Sequence, residues 1–333
     1  MKRLALILLS LGVLLALALA FVPRVFAPAL FERAVMARMN TDGVSALDQG
    51  LHVVLVGTGS PLPDPSRAGP MTAVVADGRL FVFDVGDGAT RALGAQGLGP
   101  AQVEAVFLTH LHSDHIDGLG SLMTLRWAGG GWDTPLPVLG PEGTDTLIDG
   151  LNTAYAADKG FRVAHHGEDT VPPSGHGGKA RVLTPGEPVS FGSVMVTPFR
   201  VDHAPVEPAF GYVIEHAGRK VVITGDTTAD WNVPEVTRNP DILVAEALNR
   251  DMVRTMQAAA PTPRIAKIAA DIQDYHMSPQ EAAALGARMG AGRTVLTHIV
   301  PAVPNRIAGD LFMRGVDGAE LGRDGAVYSL PPR

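Results

Sequence analysis

Thr109-His110-Leu111-His112-Ser113-Asp114-His115 puts three imidazoles and a carboxylate within seven residues, directly after the apolar stretch 103–108. Imidazole nitrogens and carboxylate oxygens are the ligands that suit zinc and its borderline relatives. His110 and His112 point the same way only while the backbone is extended. Asp114 and His115 then fall where the chain must turn, and can face a second point in space. That spacing suits two metals better than one; the rival reading is a polar loop whose histidines are incidental. Four further candidates share a local context: His203 follows the apolar run 194–201, Asp226 follows 221–225, His298 follows 295–297, and His276 sits just before a helix start. Groups placed beyond strand ends can converge on one edge of a sheet sandwich while the sheets hold them rigid. A lone strand-end histidine is more often structural, but four such positions beside the cluster reverse that weighting.

The elements that must position these groups follow from periodicity and turn chemistry. Residues 52–56 read as a strand, and Gly57-Thr58-Gly59-Ser60 with Pro61, Pro63 and Pro65 as a constrained loop shaping the pocket floor. Strands 71–76 and 80–85 flank the hairpin signal Asp77-Gly78. A helix starts at 90–94, strand 103–108 leads into the histidine loop, and 116–127 has helical apolar spacing. The middle, 129–190, reads as loop-rich with one helix near 144–158, and His165, His166 and His176 as loop residues. Strands resume at 194–201, 210–216, 220–224 and 242–247. Ser278 with Glu281 forms a capping box opening helix 278–289, and a last strand covers 294–297. Strands then helix, twice over, predict an α/β fold of two sheets with helices outside. His52 and His216 read as ordinary strand residues, and Trp127, Trp132 and Trp231 as pocket walls or core.

With 333 residues, 46% apolar and 18% charged, the chain has the composition of a globular enzyme with a sizeable core. The net charge of −7 argues against a polyanion as an obligate partner. With no cysteine, disulfides and thiolate sites are excluded, so any metal must be held by His, Asp and Glu. Lys2 and Arg3 precede a nearly unbroken apolar run, 4–22, which predicts either a cleaved export signal or a retained membrane anchor. The organisation expected is a signal peptide or anchor at 1–22, a linker with a short helix (31–39) at 23–50, and a hydrolase domain at 51–330. The location expected is the periplasm, or the inner membrane facing it.

The order His-x-His-x-Asp-His, then His, Asp and His, resembles the metallo-β-lactamase superfamily, an αββα sandwich of hydrolases. Leu55-Val56-Gly57-Thr58-Gly59-Ser60-Pro61, Pro63-Asp64-Pro65-x-Arg67-x-Gly69-Pro70 and Phe83-Asp84-x-Gly86-x-Gly88-x-x-Arg91 are similar to its ribonuclease Z and arylsulfatase-like branch. The pattern continues to Gly225-Asp226-Thr227, His276 and Gly322-Arg323-Asp324, spanning 51–328. The resemblance implies that His110, His112 and His203 hold one metal, that Asp114, His115 and His298 hold another, and that Asp226 bridges both. The ions implied are two zinc, with manganese or iron as substitutes. A shared water with its pKa lowered toward ~7 would be the nucleophile. Asp114 would double as proton acceptor and His276 would serve the leaving group. Asp84 would orient a ligand imidazole through its other nitrogen, or merely satisfy its glycine-rich turn.

The function expected is a zinc-dependent hydrolase of a small-molecule phosphodiester, sulfate ester or related ester, without a nucleic-acid partner, and touching the membrane through an uncleaved N-terminus. A homodimer stays open. The alternative is tRNA 3′-end processing, as in ribonuclease Z. Against it stand the export segment, the acidic balance and the lack of a basic, glycine-rich arm. The branch's His-Glu-Ala-Thr stretch also appears here as Ala245-Glu246-Ala247-Leu248. A membrane-tethered metal-binding module without catalysis is the reading from another class; it predicts lost ligands, and every matched position is intact.

Overall fold

Aliphatic and aromatic side chains occupy both faces of most strands, as they must in sheets covered on both sides. The computed structural model describes residues 2–39, 41–47, 49–229 and 232–333. It divides into the units Met1–Asp42 and Gly43–Arg333. In the second unit the strands are β1 (Leu51–Gly57), β2 (Met71–Ala76), β3 (Arg79–Phe83), β4 (Val103–Phe107), β5 (Leu136–Gly140), β6 (Gly178–Val182) and β7 (Val189–Phe191). They continue as β8 (Val194–Val201), β9 (Ala209–His216), β10 (Arg219–Ile223), β11 (Ile242–Leu248), β12 (Thr294–Val300), β13 (Glu320–Leu321) and β14 (Ala326–Leu330). Among the described residues they form two seven-stranded sheets, ordered β14-β1-β2-β3-β4-β5-β6 and β13-β12-β11-β10-β9-β8-β7. The second half of the chain therefore builds its own sheet and returns one strand, β14, to the edge of the first.

The helices are α1 (Lys2–Met39), α2 (Ala89–Ala95), α3 (Ser113–Ile116), α4 (Leu119–Gly130), α5 (Thr144–Ala154), α6 (Ala156–His166), α7 (Arg250–Ala258), α8 (Pro263–Asp271), α9 (Pro279–Met289) and α10 (Arg306–Phe312). Leu119, Leu122 and Met123 of α4 pack with Val54, Val106 and Val138 on the outside of the first sheet. Ala282, Leu285 and Met289 of α9 pack with Leu243 and Leu296 outside the second. Between the sheets lies the third layer of core, including Leu55, Phe83, Phe107, Tyr212, Ile223 and Val244. The molecule is thus an αββα sandwich, as the sequence predicts. Phe83 and Phe107 stack at 5.0 Å, and Tyr212 from the facing sheet meets their rings at 5.3 and 5.5 Å. The Tyr212 hydroxyl then donates to the Leu108 carbonyl at 2.5 Å, and Phe210 N–H donates to Thr109 O at 2.8 Å. These two bonds tie the sheets together just where the histidine loop leaves β4.

Several expectations need correction. The region 129–190 is more ordered than predicted: it holds β5, β6, β7 and two helices, with His165 and His166 in the last turn of α6. Helices α7 and α8 were not foreseen, although Asn249 and Thr262 cap them by accepting from Met252 N and Ile265 N. Both helices show solvent so much surface that they leave only a short apolar trace in the sequence. Trp127 is core, its Nε1 donating to Pro172 O, and Trp132 donates to Ala101 O beneath the Arg126 guanidinium. Neither is a pocket wall; Trp231 lies outside the described residues. His52 is a strand residue, bonded to Ser329 Oγ and Gln49 O.

At the N-terminus, α1 does not stop at residue 22 for a linker to follow. It runs unbroken through Pro23 and Pro28, so that the apolar stretch shares one rod with Arg24, Glu32 and Arg33. Among the described residues no helix is long and apolar enough to cross a membrane. The periplasmic or inner-membrane location expected from 1–22 is corrected on this point, since no described helix supplies the membrane span it would rest on. The second unit also starts at Gly43 rather than at 51, since Gly43 N bonds Gly97 O and Val44 is buried.

Tyr212→Phe deletes the inter-sheet bond and strands a buried carbonyl, so it should destabilise the fold by about 1–3 kcal/mol. Urea unfolding should show a lower midpoint at unchanged slope.

Candidate metal centre

His110, His112, His203 and Asp226 stand just beyond strand ends, whereas His298 lies inside β12 and His276 just before α9. After β4 the chain bends at Thr109, is extended at His112 (φ −62°, ψ 146°), then turns into α3. His110 and His112 therefore precede the turn, while Asp114 and His115 ride on a single helical turn. His203 follows β8 by two residues and Asp226 follows β10 by three. Gly225 adopts φ +62°, and a Cβ there would lie 2.8 Å from Phe210 O and from Thr109 Cβ. Only glycine lets Asp226 approach the histidine loop so closely.

His298 shows the sharpest local device. The strand predicted at 294–297 runs on to Val300, with His298 inside it. Pairing shifts there, from Glu246↔Thr297 to Ala247↔Ile299, and His298 takes φ +47°. A bulge of this kind re-aims one side chain without ending the strand. Asp84, just after β3, is likewise left-handed at φ +60°. Such backbone costs about 1–3 kcal/mol per residue and persists only when the surroundings impose it.

The structure brings the predicted residues together. His110, His112, His203 and Asp226 each offer an atom within 4.8 Å of the others, as do Asp114, His115 and His298, and again Asp226, His276 and His298. Asp226 Oδ2 is the common point, 3.3 Å from His115 Nε2, 3.4 Å from His298 Nε2, 3.9 Å from His110 Nε2 and 4.0 Å from His276 Nδ1. Asp114 Oδ2 lies 3.1 Å from His298 Nε2 and 3.6 Å from His115 Nε2.

Hydrogen bonds decide where the ring protons sit. Asp84 accepts from His115 Nδ1 and from Thr109 Oγ1 through Oδ2, both at 2.8 Å, and from Thr109 N through Oδ1. Thr109 Oγ1, its proton committed to Asp84, accepts from His110 Nδ1 at 3.1 Å. His203 Nδ1 donates to Tyr275 O at 3.0 Å. All three rings consequently turn a bare Nε2 toward the Asp226 carboxylate. His115 Nε2, His203 Nε2, His298 Nδ1 and Asp226 Oδ1 are buried without a hydrogen-bond partner. Lone pairs facing carboxylates underground are repulsive unless positive charge lies between them. The donor set fits a divalent cation, and among oxygen and imidazole donors zinc suits it well.

The titration of the side chains alone shows the same demand for positive charge, met by a proton on His115 in place of an ion. Burial drives His203 down to about 4, against the attraction of Asp226. Burial also disfavours charge on His115, yet the Asp226 and Asp84 carboxylates outweigh it and hold its pKa well above the imidazole range. For His276 burial again lowers the pKa, but the charge and hydrogen bond of Glu246 raise it to about 8.

Glu246 is the group that sequence reasoning missed. It is 1% exposed, and its Oε1 accepts from His276 Nδ1 (3.0 Å), Met277 N (3.0 Å) and Thr227 N (3.2 Å). A glutamate in the middle of an apolar strand is itself the signal, because such a group is almost never fully buried unless paired. The Gly57–Ser60 loop also has another task than a pocket floor. Asp324 holds it through Thr58 N, Thr58 Oγ1 and Ala68 N, and Thr58 O accepts from Ile299 N, beside the His298 bulge.

Known proteins resemble this chain in sequence and in fold. The family model for the beta-lactamase superfamily domain matches residues 81–299. The ribonuclease Z of Mycolicibacterium paratuberculosis is 40% identical over 255 residues, 76% of this chain and 87% of that protein. The ribonuclease Z of Mycobacterium bovis is 39% identical over the same coverage. Among solved structures, the short form of human tRNase Z superposes with a TM-score of 0.60 at 23% identity, covering 84% of this chain and 99% of that one. The metallo-beta-lactamase fold protein YhfI from Bacillus subtilis gives 0.60 at 19% identity, with the same coverage. The relatives named ribonuclease Z overturn the expectation of a small-molecule ester substrate without a nucleic-acid partner, and they lend export no support.

Asp84→Ala removes the acceptor that fixes the His115 and Thr109 protons, and loss of such outer partners typically weakens metal affinity about 10–100-fold. Competition with a zinc chelator, followed by metal analysis, is the measurement, and unchanged affinity would refute the role given to Asp84.

Proposed function

The chain belongs to the metallo-β-lactamase superfamily and is a metal-dependent hydrolase, and from that premise we propose that it is a ribonuclease Z-type endonuclease cleaving a phosphodiester at the 3′ side of precursor tRNA. The observation that carries this reading is the 40% identity to a ribonuclease Z across 87% of its length. The family match, 81–299, also encloses Asp84, Glu246, His276 and all seven proposed ligands.

The sequence objections weaken once the fold is known. Side chains alternate along β11: Leu243, Ala245 and Ala247 join the outer core under α9, while Glu246 faces the site. The exchange of histidine for Ala245 therefore alters the outer packing layer, and the carboxylate on the reactive side is kept. Net charge is a whole-chain quantity and says little about the field at one surface.

In this reading His110, His112 and His203 would hold one metal ion and Asp114, His115 and His298 a second, with Asp226 within reach of both sets. Bound zinc, or manganese or iron in its place, supplies Lewis acidity toward water and the phosphoryl oxygens. The protein's own groups move the protons. Asp114, with 14% of its side chain exposed against 3% for Asp226, is the carboxylate that can accept the proton of the attacking water. As the new oxygen–phosphorus bond forms and the bond to the ribose 3′ oxygen breaks, His276 gives its proton to that leaving oxygen. With a pKa of about 8, His276 carries this proton at neutral pH, and Glu246 holds the ring in place.

Purified protein should cut precursor tRNA bearing a 3′ trailer, lose this activity to a chelator and regain it with zinc. A loaded enzyme that leaves precursor tRNA intact would sink the proposal. His276→Ala should slow the cut by about 10²–10⁴-fold, the usual share of a positioned general acid, at unchanged metal content.

A further inference from the structure

Beyond the metal centre, one cation is tied to the reactive segment without touching it. Arg250 opens α7, and its side chain is 31% exposed. Its guanidinium donates through Nη2 to His276 O (2.9 Å), through Nε to Gln273 O (3.3 Å) and through Nη1 to Glu281 Oε2 (2.6 Å). Glu281 in turn accepts from Ser278 N at 2.7 Å, closing the capping box of α9. One planar group thus grips the carbonyl on either side of Tyr275 and the start of the helix that follows. The segment 273–278 carries His276 and is also held by Glu246 at the His276 ring and Met277 N, by His203 Nδ1 at Tyr275 O, by Leu248 N at Met277 O and through the Gln273 amide at Ala269 O. Among the described residues, Arg250 is the side chain that donates to the His276 carbonyl.

We propose that Arg250 is a positioning residue for leaving-group protonation: it fixes the backbone of His276 so that the ring, steered by Glu246, meets the departing oxygen. This rests on the role given above to His276. Lysine can replace the function only in part, because a point charge with a single nitrogen cannot span three acceptors that match a planar fork.

The test compares two phosphodiesters on the zinc-loaded full chain. Precursor tRNA expels an alkoxide that needs a proton, whereas bis(p-nitrophenyl) phosphate expels a nitrophenolate that leaves without one. Arg250→Met should lower kcat on the RNA by about 10²-fold, the cost of a small misplacement, with KM and zinc content unchanged and aryl ester hydrolysis preserved. Arg250→Lys should recover part of the loss, and it supplies the measurement if the methionine variant does not accumulate. Parallel losses on both substrates, or no loss on RNA, would overturn the proposal while leaving the endonuclease reading standing. Wild-type enzyme that turns over only the aryl ester would overturn both.

Discussion

A buried carboxylate surrounded by imidazoles is the constraint around which this molecule is organised. Asp226 is 3% exposed, and His110, His115 and His298 all turn toward its Oδ2. Burying such a group unpaired costs several kcal/mol, and the cost is tolerable only if positive charge is held against it. The outer contacts follow from that need. Asp84 and Tyr275 O occupy the Nδ1 sides of His115 and His203, which leaves the opposite nitrogens bare. The sandwich supplies the rigidity: Tyr212 and Phe210 of the second sheet fasten the chain at Leu108 and Thr109, immediately before the histidines.

Strain is placed with the same economy. Asp84 and His298 both take left-handed backbone, and each is braced by neighbours that leave no alternative. Asp84 is held through Thr109 and His115, while His298 is held between the paired strand β11 and the loop that Asp324 secures. The two strained positions flank His115, whose ring stacks on His298 at 5.1 Å.

Much of this was legible in the sequence, and the reasons differ by residue. The spacing of His110 and His112 dictated an extended chain, and Ser278 with Glu281 dictated a helix start; both are local rules, and local rules transfer. The strands facing the core were also clear, since their apolar runs are continuous. Strand β5, the edge strands β6 and β7 and the solvated helices α7 and α8 were not, because their apolar signal is short or one-sided. The bulge at His298 could not be read at all, since it depends on pairing with β11 and on Thr58. At Ala245-Glu246-Ala247-Leu248 the exchanged residue is conspicuous in the sequence and the retained glutamate is not. Parity along a strand, once its inner face is known, reverses that emphasis. At the N-terminus, composition suggested a break after 22, but helix formation runs through Pro23 and Pro28 to Met39.

The division of labour between the sheets has a consequence for how the protein is made. The cluster 110–115 belongs to the first sheet, whereas His203, Asp226 and His298 are set by the second, and β14 returns to pair with β1 only at the very end. A ribosome delivers these parts in that order. While the chain is growing, the early histidines exist without the carboxylate they face, and any ion they catch is held by a partial set. High-affinity loading must therefore wait until β12, which carries His298, has joined the second sheet, which makes cofactor capture a late event in folding.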